Sequence, residues 1–543
     1  MGRTDEHLVL PHGDGLGRRQ FLGGLAATGA VVTAGGLLAA CGSSGGASPA
    51  PSASAVVRKR RGGNLKIGLS GGSGSDTLDP HKGLTYLDSG RAQSLYQPLL
   101  QLNTQAQTEY VLAESIEAPT SPSEWIIRLR PGITFHDGKP LTADDVIYTF
   151  RRIKTGSFAG ADSLGPMDLG GLKALDKLTV KVPMTSPYGS FVDQLAFWYY
   201  LYIIPDGFDP AVDPAKQKPN GTGAFVYKSF TPGERSVFTR NPHYWRSGLP
   251  YADTLTIIDF SDNVSLQNAL TTKVIQAAGA LEGAQLAALA TTAGVKTVAS
   301  HTGAITPFTM RVDKAPFNDV RVRQAMRLIV DRPQLIESAL DGYGTVGNDV
   351  FSPFDPNFDR SLQQREADVQ QAKLLLKKAG QENLAVTLTT SAVATGTVPM
   401  ATVLAEQAKA AGVKIKVVNV SPSTFFGTGK YLEWPFSQDF YNYSPYLAQV
   451  AQSMNGSKSP YNETHESNPD YLKLYNQANA TNSRSLRKQI EHEMQQFDYN
   501  EGGYIVPAFI DALDAYSTEI TGYSPSRVGQ PLTSLNFEQF AFV

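Results

Sequence analysis

Alternating apolar and polar residues predict β-strands at several points of the chain. In NLKIGLS, residues 64–70, every second residue is apolar, as in a strand with one buried face. The stretch EWIIRLR, residues 124–130, alternates in the same way. Farther along, Thr142 is followed three residues later by Asp145, the spacing of a capping box, so we expect a helix to begin there.

Residues 366–418 contain the clearest supersecondary unit. Apolar residues three and four positions apart predict a helix that ends at Gly380, and the strand pattern LAVTLTT follows it. A second helix is predicted over 397–411, and VKIKVV alternates again after Gly412. This order is β-α-β, which implies parallel strands joined by a right-handed crossover. The fold class is therefore α/β, and ligands of such sheets bind outside the carboxyl ends of the strands.

Composition restricts the classes of protein to which this chain can belong. A chain of 543 residues is too long for one core, so two or three domains are expected. Its net charge of -2 provides no basic surface for nucleic acid. One cysteine permits neither an internal disulfide nor a cysteine-based zinc site. No histidines stand at metal-ligand spacing, so no metal held by protein ligands and no cofactor are expected, whereas a chelated metal stays open as a ligand because it needs no protein ligands.

The N-terminal segment has the pattern of an export signal over residues 1–40. Arg18 and Arg19, followed by a mild apolar run, resemble a twin-arginine signal, although a general secretory leader with a chance arginine pair is an alternative. Leu38-Ala39-Ala40-Cys41 resembles a bacterial lipobox, which would make Cys41 the site of lipid attachment. Residues 41–61 are rich in Gly, Ser and Ala, as in a flexible tether.

Several long motifs resemble the cluster C solute-binding proteins of ABC importers, which are extracytoplasmic solute-binding protein family 5. This family includes dipeptide-, oligopeptide- and nickel-binding proteins. The signature region is LAESIEAPTSPSEWIIRLRPGITFHDGKPLTADDVIYTFRRI, residues 112–153. Further matches are NGTGAFVYKSFTPGERSVFTRNPHYW at 220–245 and FNDVRVRQAMRLIVDRPQLIESALDGYG at 317–344. The resemblance extends from about residue 64 to the C-terminus.

The resemblance implies a two-lobed periplasmic-binding-protein-like fold of type II with an extra inserted domain. Two crossing strands would form a hinge between the lobes, near residues 305–310 and 505–509. The expected division is a domain I of 62–97, 210–307 and 508–543, a domain II inserted at 98–209, and a domain III of 308–507.

The resemblance also indicates where the ligand would bind. In peptide-binding relatives, an aspartate in an A-D-Y-x-x-P type stretch pairs with the ligand's α-ammonium group. The corresponding stretch here is FSQDFYNYSPYL, in which Tyr441 takes the aspartate position and Asp439 lies two residues earlier. A tyrosine at the aspartate position favours a neutral ligand. If the alignment is shifted by two residues, Asp439 takes that position instead and could pair with the ligand's ammonium group. The candidate ligand-binding residues are Tyr86, Trp434, Phe436, Asp439, Tyr441 and Tyr443.

The expected function is capture of a small solute and its delivery to an ABC permease, whose ATPase subunits supply the energy. Oligopeptides are the leading ligand class, with oligosaccharides or other non-peptide solutes as the alternative. The protein would be a monomer, anchored by lipid to the outer face of the cell membrane, and not an enzyme. Two other classes stay open: a ligand sensor for a signalling partner, and a secreted serine hydrolase built on Ser70. Ser70 lies in a G-x-S-x-G stretch that lacks the helix required after a nucleophile elbow.

Overall fold

The computed structural model describes residues 58–543 apart from positions 84, 157, 198, 199 and 215. The predicted export signal, Cys41 and residues 41–57 of the predicted tether lie outside the described residues. Within the described part of the chain, no helix has the length and apolarity needed to cross a bilayer.

The strands are distributed along the whole described chain. In chain order they are β1 (Asn64–Ser70), β2 (Gln97–Pro98), β3 (Leu100–Leu102), β4 (Thr108–Tyr110), β5 (Ala113–Glu117), β6 (Glu124–Leu129), β7 (Lys173–Asp176), β8 (Thr179–Pro183), β9 (Tyr202–Ile203), β10 (Phe225–Thr231), β11 (Arg235–Arg240), β12 (Thr254–Phe260), β13 (Ala277–Ala278), β14 (Val295–Ile305), β15 (Phe308–Met310), β16 (Gly344–Val346), β17 (Ala385–Thr390), β18 (Lys414–Asn419), β19 (Phe436–Gln438), β20 (Tyr504–Ile505), β21 (Ala508–Ser517), β22 (Ile520–Thr521) and β23 (Ala541–Phe542).

Helices occur in half of the intervals between consecutive strands. They are α1 (Tyr86–Leu95), α2 (Ala143–Thr155), α3 (Phe191–Phe197), α4 (Asn263–Thr271), α5 (Gly283–Ala290), α6 (Val320–Ile329), α7 (Arg332–Ala339), α8 (Val369–Lys378), α9 (Thr397–Lys409), α10 (Pro422–Phe425), α11 (Tyr446–Ser453), α12 (Pro469–Ala480), α13 (Arg484–Asn500) and α14 (Pro531–Ser534).

An 8-stranded sheet organises the first lobe, in the order β10-β11-β12-β1-β13-β21-β14, with β16 also pairing with β21. The predicted strand β1 is confirmed: its apolar face is buried, and it pairs in parallel with β12 from Asn64↔Thr254 to Ser70↔Phe260. Strands that are far apart in sequence thus share one sheet. The 98–209 segment between β1 and β10 contributes no strand to this sheet, and the chain returns to it at β10.

The 98–209 segment contains a 4-stranded sheet, β5-β6-β8-β7, packed on α2. The predicted capping box is confirmed, since Thr142 is the N-cap of α2 and its backbone N–H donates to Asp145 Oδ2 over 2.7 Å. The second predicted strand is also confirmed, as β6, and it buries Trp125 within this core.

A 5-stranded sheet, β18-β17-β19-β15-β20, organises the second lobe. The predicted β-α-β unit is confirmed: β17 and β18 are parallel, α9 connects them, and α8 precedes them. α8 buries Ala372 and Leu376 in the core of this lobe, and Gly380 follows α8 with a φ of 69°, a left-handed conformation that glycine adopts without strain.

The chain crosses between the two sheets twice. It passes from β14 in the first sheet to β15 in the second across residues 306–307, and returns from β20 to β21 across residues 506–507. These connections lie within the segments where hinge strands were expected. We call the parts on either side of the crossings the first lobe, which includes the 98–209 segment, and the second lobe.

Candidate functional site

The candidate site lies where β19 ends, beside the two crossings. β19 runs parallel to β17 through Thr389↔Ser437, so Asp439 follows the carboxyl end of a parallel pair of strands. Just beyond it, Tyr441 forms an isolated antiparallel bridge with Ile305, the last residue of β14. The segment 439–441 is therefore attached to the point where the chain changes lobes, and this edge of the sheet is where α/β proteins bind ligands.

Two acidic side chains, Asp439 and Glu463, form the centre of this site. Each is only 3% exposed, and the Tyr431 hydroxyl lies within 3.5 Å of an oxygen of both carboxyl groups. The Tyr431 hydroxyl donates to Asp439 Oδ2 over 2.6 Å, and the Phe440 backbone N–H donates to Asp439 Oδ1 over 2.8 Å. We call Asp439 and Glu463 the carboxyl pair.

Tyrosine hydroxyls enclose the Glu463 side of the pair. Tyr504 donates to Glu463 Oε2 over 2.5 Å, and Tyr441 donates to Glu463 Oε1. Burial raises the pKa of Asp439 above its ordinary value. Burial, followed by the neighbouring Asp439, raises the pKa of Glu463 well above the ordinary range of a glutamate.

Nearby basic side chains are paired with other acids. Arg311 forms ion pairs with Asp313 over 2.6 Å and with Glu433 over 3.0 Å. His465, two residues from Glu463, lies 3.7 Å from the same Asp313 carboxylate. Within the part of the chain that the structure describes, no lysine, arginine or histidine forms an ion pair with the carboxyl pair. The site thus contains two buried acidic groups that have no ion-pairing partner among the described basic residues.

Two of the predicted site residues, Asp439 and Tyr441, meet at this cluster. Side chains two positions apart in extended backbone share a face, as the prediction assumed. Glu463, Tyr431 and Tyr504 were not predicted. Their sequence surroundings carry no periodic or motif signal, and they reach the pair from a loop, a turn and β20.

The other predicted residues of the second lobe lie elsewhere. Trp434 stacks on Phe425 with ring centroids 6.2 Å apart, and its indole N–H donates to the Phe425 carbonyl over 3.2 Å. Phe436 is fully buried in the second-lobe core, packed against Phe317. This is a packing position, so we do not retain Phe436 as a ligand contact. Tyr443 is buried too, with its ring 5.8 Å from that of Phe354.

Tyr86 approaches the site from the first lobe. It is the first residue of α1, and its hydroxyl donates to Asn442 Oδ1 of the second lobe over 3.4 Å. Burial raises the pKa of Tyr86 to about 12. Tyr461 of the second lobe lies next to Tyr431, with ring centroids 6.4 Å apart. Burial, followed by the negative charge of Asp162 in the first lobe, raises the pKa of Tyr461. Side chains of both lobes therefore surround the region next to the carboxyl pair.

The lobes also contact each other away from the carboxyl pair. The Gly189 N–H donates to the Asn479 carbonyl over 2.9 Å. Ser190 donates twice to Asn479 Oδ1, from its backbone N–H over 3.0 Å and from its hydroxyl over 2.9 Å. We call Gly189, Ser190 and Asn479 the latch. It joins the turn before α3 to α12 and holds the two lobes in contact in this structure.

The structure gives no support to a nucleophile at Ser70. The Ser70 hydroxyl donates to Asn263 Oδ1 over 2.9 Å, and an amide oxygen is not basic enough to activate a serine. Among residues 58–543, leaving aside the five undescribed positions, no three or more His, Cys, Asp or Glu side chains form a group that could hold a metal ion.

Comparison with known proteins agrees with this architecture. The family model of bacterial extracellular solute-binding proteins, family 5 middle, matches residues 107–480. The glutathione-binding protein GsiB of Escherichia coli is 25% identical over 469 residues, which cover 83% of this chain and 90% of that protein.

Two solved structures illustrate the shared fold. The ABC transporter substrate-binding protein CtaP of Listeria monocytogenes has a TM-score of 0.77 at 20% identity, covering 89% of this chain and 100% of its own. The periplasmic binding protein DppA of Helicobacter pylori, in complex with the peptide STSA, has a TM-score of 0.75 at 18% identity, covering 89% and 98%. These neighbours confirm the predicted two-lobed, type II fold of cluster C. The chain belongs to family 5 of the bacterial extracellular solute-binding proteins.

Proposed function

We propose that this protein captures peptides, or similar solutes with a free amino group, between its lobes and delivers them to an ABC permease. The observation that carries this proposal is the carboxyl pair, which is buried and forms no ion pair with any basic side chain that the structure describes. A buried carboxylate is costly unless a positive group compensates it. The α-ammonium group of a peptide would supply that compensation.

This proposal revises how the tyrosine at position 441 is interpreted. A tyrosine in place of the family aspartate favours a neutral ligand when the sequence is considered alone. In the structure, however, the Tyr441 hydroxyl donates to Glu463, and Asp439 stands beside that carboxyl group. An uncharged oligosaccharide would leave the negative charge of the pair uncompensated. The acidic centre thus favours the peptide alternative over the neutral one.

The aromatic side chains around the pair complete the proposed ligand site. Tyr86 from the first lobe and Trp434 from the second are proposed to contact apolar parts of the ligand, because flat rings with a polar edge suit peptide planes and side chains. Tyr443 would hold Tyr441 and Asn442 in place rather than contact the ligand, since its own ring is buried against Phe354. Contacts in both lobes would favour the closed state when ligand is bound.

We further propose that Cys41 carries the lipid and that residues 41–61 form the tether. The single cysteine stands where the lipobox requires it, and the arginine pair favours the twin-arginine route. The protein would then act as a monomer on the outer face of the membrane, with a permease and its ATPase as partners. A Cys41→Ser variant is expected to leave the membrane fraction and to lose the mass of the lipid, whereas unchanged fractionation would contradict the anchor.

A thermal-shift screen tests the ligand class. The purified protein is heated with tetrapeptides bearing free amino termini, with the same peptides N-acetylated, with reduced glutathione, and with neutral oligosaccharides. A ligand at a hundred times its Kd adds about 2.7 kcal/mol of stability. We expect free amino termini to stabilise and acetylation to abolish the effect. Equal shifts with acetylated peptides, or shifts with oligosaccharides alone, would contradict the proposal.

A further inference from the structure

The groups that donate hydrogen bonds to the carboxyl pair differ in how firmly the chain holds them. The Phe440 N–H directly follows β19, Tyr441 is bridged to the end of β14, and Tyr504 lies in β20. Tyr431 is different, because it lies in the connection between β18 and β19, outside any strand or helix. It is therefore the donor that can leave the pair without disturbing a sheet.

The backbone before Tyr431 is hydrogen-bonded to itself. Backbone hydrogen bonds donated by residues 421–431 end on carbonyls of the same residues, and no described backbone hydrogen bond joins this segment to either sheet. Its two ends are fixed. The Val420 N–H donates to the Thr390 carbonyl of β17 over 3.0 Å, and the Leu432 carbonyl accepts from Arg311 over 3.1 Å. We call residues 421–431 the flap.

The flap also has an aromatic cluster of its own. Phe425 is only 1% exposed, and its ring contacts Phe426 at 5.0 Å, Tyr431 at 6.3 Å and Trp434, just after the flap, at 6.2 Å. Phe425 is not part of any of the described hydrophobic cores of the two lobes. A segment that is hydrogen-bonded and packed on itself can move as a unit while the lobe cores stay intact.

The Tyr431 hydroxyl takes a position between the two acids. It lies 2.6 Å from Asp439 Oδ2 and 3.5 Å from Glu463 Oε1. A single positive group at this position would compensate both acids, so this is the position that a ligand's amino group needs. A phenol donates one hydrogen bond, whereas an ammonium group donates three and carries the opposite charge to a carboxylate. Exchange of the phenol for an ammonium group is therefore favourable.

We infer that the flap seals the ligand site: Tyr431 occupies the place of the ligand's amino group, and binding requires that group to displace the Tyr431 hydroxyl. This inference rests on the proposed function, which supplies the cationic ligand. Tyr431 acts as a built-in competitor and lowers the affinity of every group that enters between the two acids. A ligand binds only when it gains more from these acids than the phenol does, and the charge of an amino group provides that gain.

Tyr431→Phe tests the displacement, because it removes the hydroxyl and keeps the ring that packs in the flap. Isothermal titration of the full-length protein uses tetrapeptides with free amino termini as the probe. We expect the variant to bind roughly 2- to 12-fold more tightly, the range that corresponds to one intramolecular hydrogen bond. The matched control is Tyr504→Phe, which removes a donor from Glu463 while β20 stays paired with β15, and it should not bind more tightly. Tyr431→Leu also lacks the hydroxyl and replaces Tyr431→Phe if that variant does not fold.

Hydrogen–deuterium exchange tests the motion of the flap without any ligand. Amides of residues 421–431 should exchange about 2- to 12-fold faster in Tyr431→Phe than in the unaltered protein, because the hydroxyl no longer holds the flap against the pair. Tyr504→Phe should leave the exchange of the flap unchanged. Unchanged exchange of the flap in Tyr431→Phe would overturn the inference.

The binding results separate this inference from the proposed function. Equal or weaker peptide binding by Tyr431→Phe would overturn the inference, because the hydroxyl would then stay in place or contact the ligand. A gain of the same size in Tyr504→Phe would also overturn it, since loss of any donor would then suffice. Both results leave the proposed function intact, because that function depends on comparing free and acetylated peptides in the unaltered protein. If the unaltered protein shows no preference for free amino termini, the proposed function is contradicted, and displacement by an amino group with it.

Discussion

The latch provides a way to change closure without touching the ligand site. Ser190→Ala removes the hydroxyl that donates to Asn479 Oδ1 over 2.9 Å, while the backbone N–H of residue 190 still donates to the same oxygen. Both residues are buried in this structure, in which the latch is formed. When the lobes separate, water replaces this contact. The substitution should therefore destabilise only the closed conformation.

The size of the effect follows from the hydrogen bonds that are lost. One intramolecular hydrogen bond contributes about 0.5–1.5 kcal/mol, which corresponds to roughly 2- to 12-fold weaker ligand binding for Ser190→Ala. Asn479→Ala removes the acceptor of two hydrogen bonds and leaves the Ser190 backbone N–H buried without its partner. That change should cost about 1–3 kcal/mol, or roughly 5- to 150-fold in Kd. The Asn479 carbonyl still accepts from Gly189 in both variants.

Isothermal titration with a peptide identified by the thermal-shift screen measures both variants. The matched control is Ser94→Ala, because the Ser94 hydroxyl is also buried and donates to the Gly90 carbonyl over 2.7 Å, but within α1. This control should lower the melting temperature and leave Kd unchanged. Unchanged affinity in both latch variants would refute the reasoning, since it would mean that the contact persists when the lobes open.

Three further changes test other parts of the structure. Arg332→Met removes one partner of the buried Asp349, which keeps Arg365 and the Val506 N–H. The free energy of unfolding, measured with urea, should fall by about 3 kcal/mol. The control Arg321→Met changes an exposed arginine and should leave the free energy of unfolding almost unchanged. Burial, followed by Asp355, raises the pKa of Asp193 from 3.8 to about 7. Ionisation of Asp193 therefore destabilises the folded state more and more as the pH rises from 4 to 7. The melting temperature of Asp193→Asn should exceed that of the unaltered protein by an amount that grows over this range and stays constant above it. A difference in melting temperature that does not depend on pH would contradict this. Thr142→Ala breaks the capping box of α2 and should cost about 1 kcal/mol in urea unfolding, whereas no change would show that Asp145 alone caps the helix.

The sequence patterns that predicted single strands, helix caps and the β-α-β unit were reliable, because each pattern depends only on residues that are close together in the chain. The alternation in β1, the spacing of Thr142 and Asp145, and the β-α-β unit each depend on residues within one or two elements. The period of two that brought Asp439 and Tyr441 to one face also places Phe436 on the other face, where it packs in the core. The sequence therefore contained the reason to exclude Phe436, although the aromatic character of the side chain favoured including it.

The centre of the site was not predictable in the same way. Glu463 comes to lie beside Asp439, and Tyr504 beside Glu463, only after the loop beyond α11 and the crossing strand β20 have folded. No spacing or motif encodes a contact between residues so far apart in sequence. Their partnership follows from tertiary structure, and the chemistry of the carboxyl pair follows from that partnership.

Affinity and selectivity consequently arise in different parts of this molecule. The latch joins two protein segments away from the carboxyl pair, so we expect it to contribute equally for every solute that closes the lobes. The carboxyl pair lies wholly in the second lobe and is proposed to discriminate between ligands by their charge. Latch variants should therefore weaken all ligands by one common factor, whereas Asp439→Asn should change the ratio between amino-terminal and acetylated peptides. Measuring both ligands with both sets of variants separates the two contributions. Two results would contradict this separation: Asp439→Asn weakening both kinds of peptide by the same factor, or Ser190→Ala changing the ratio of their affinities. Either result would show that closure and recognition are coupled through the hinge.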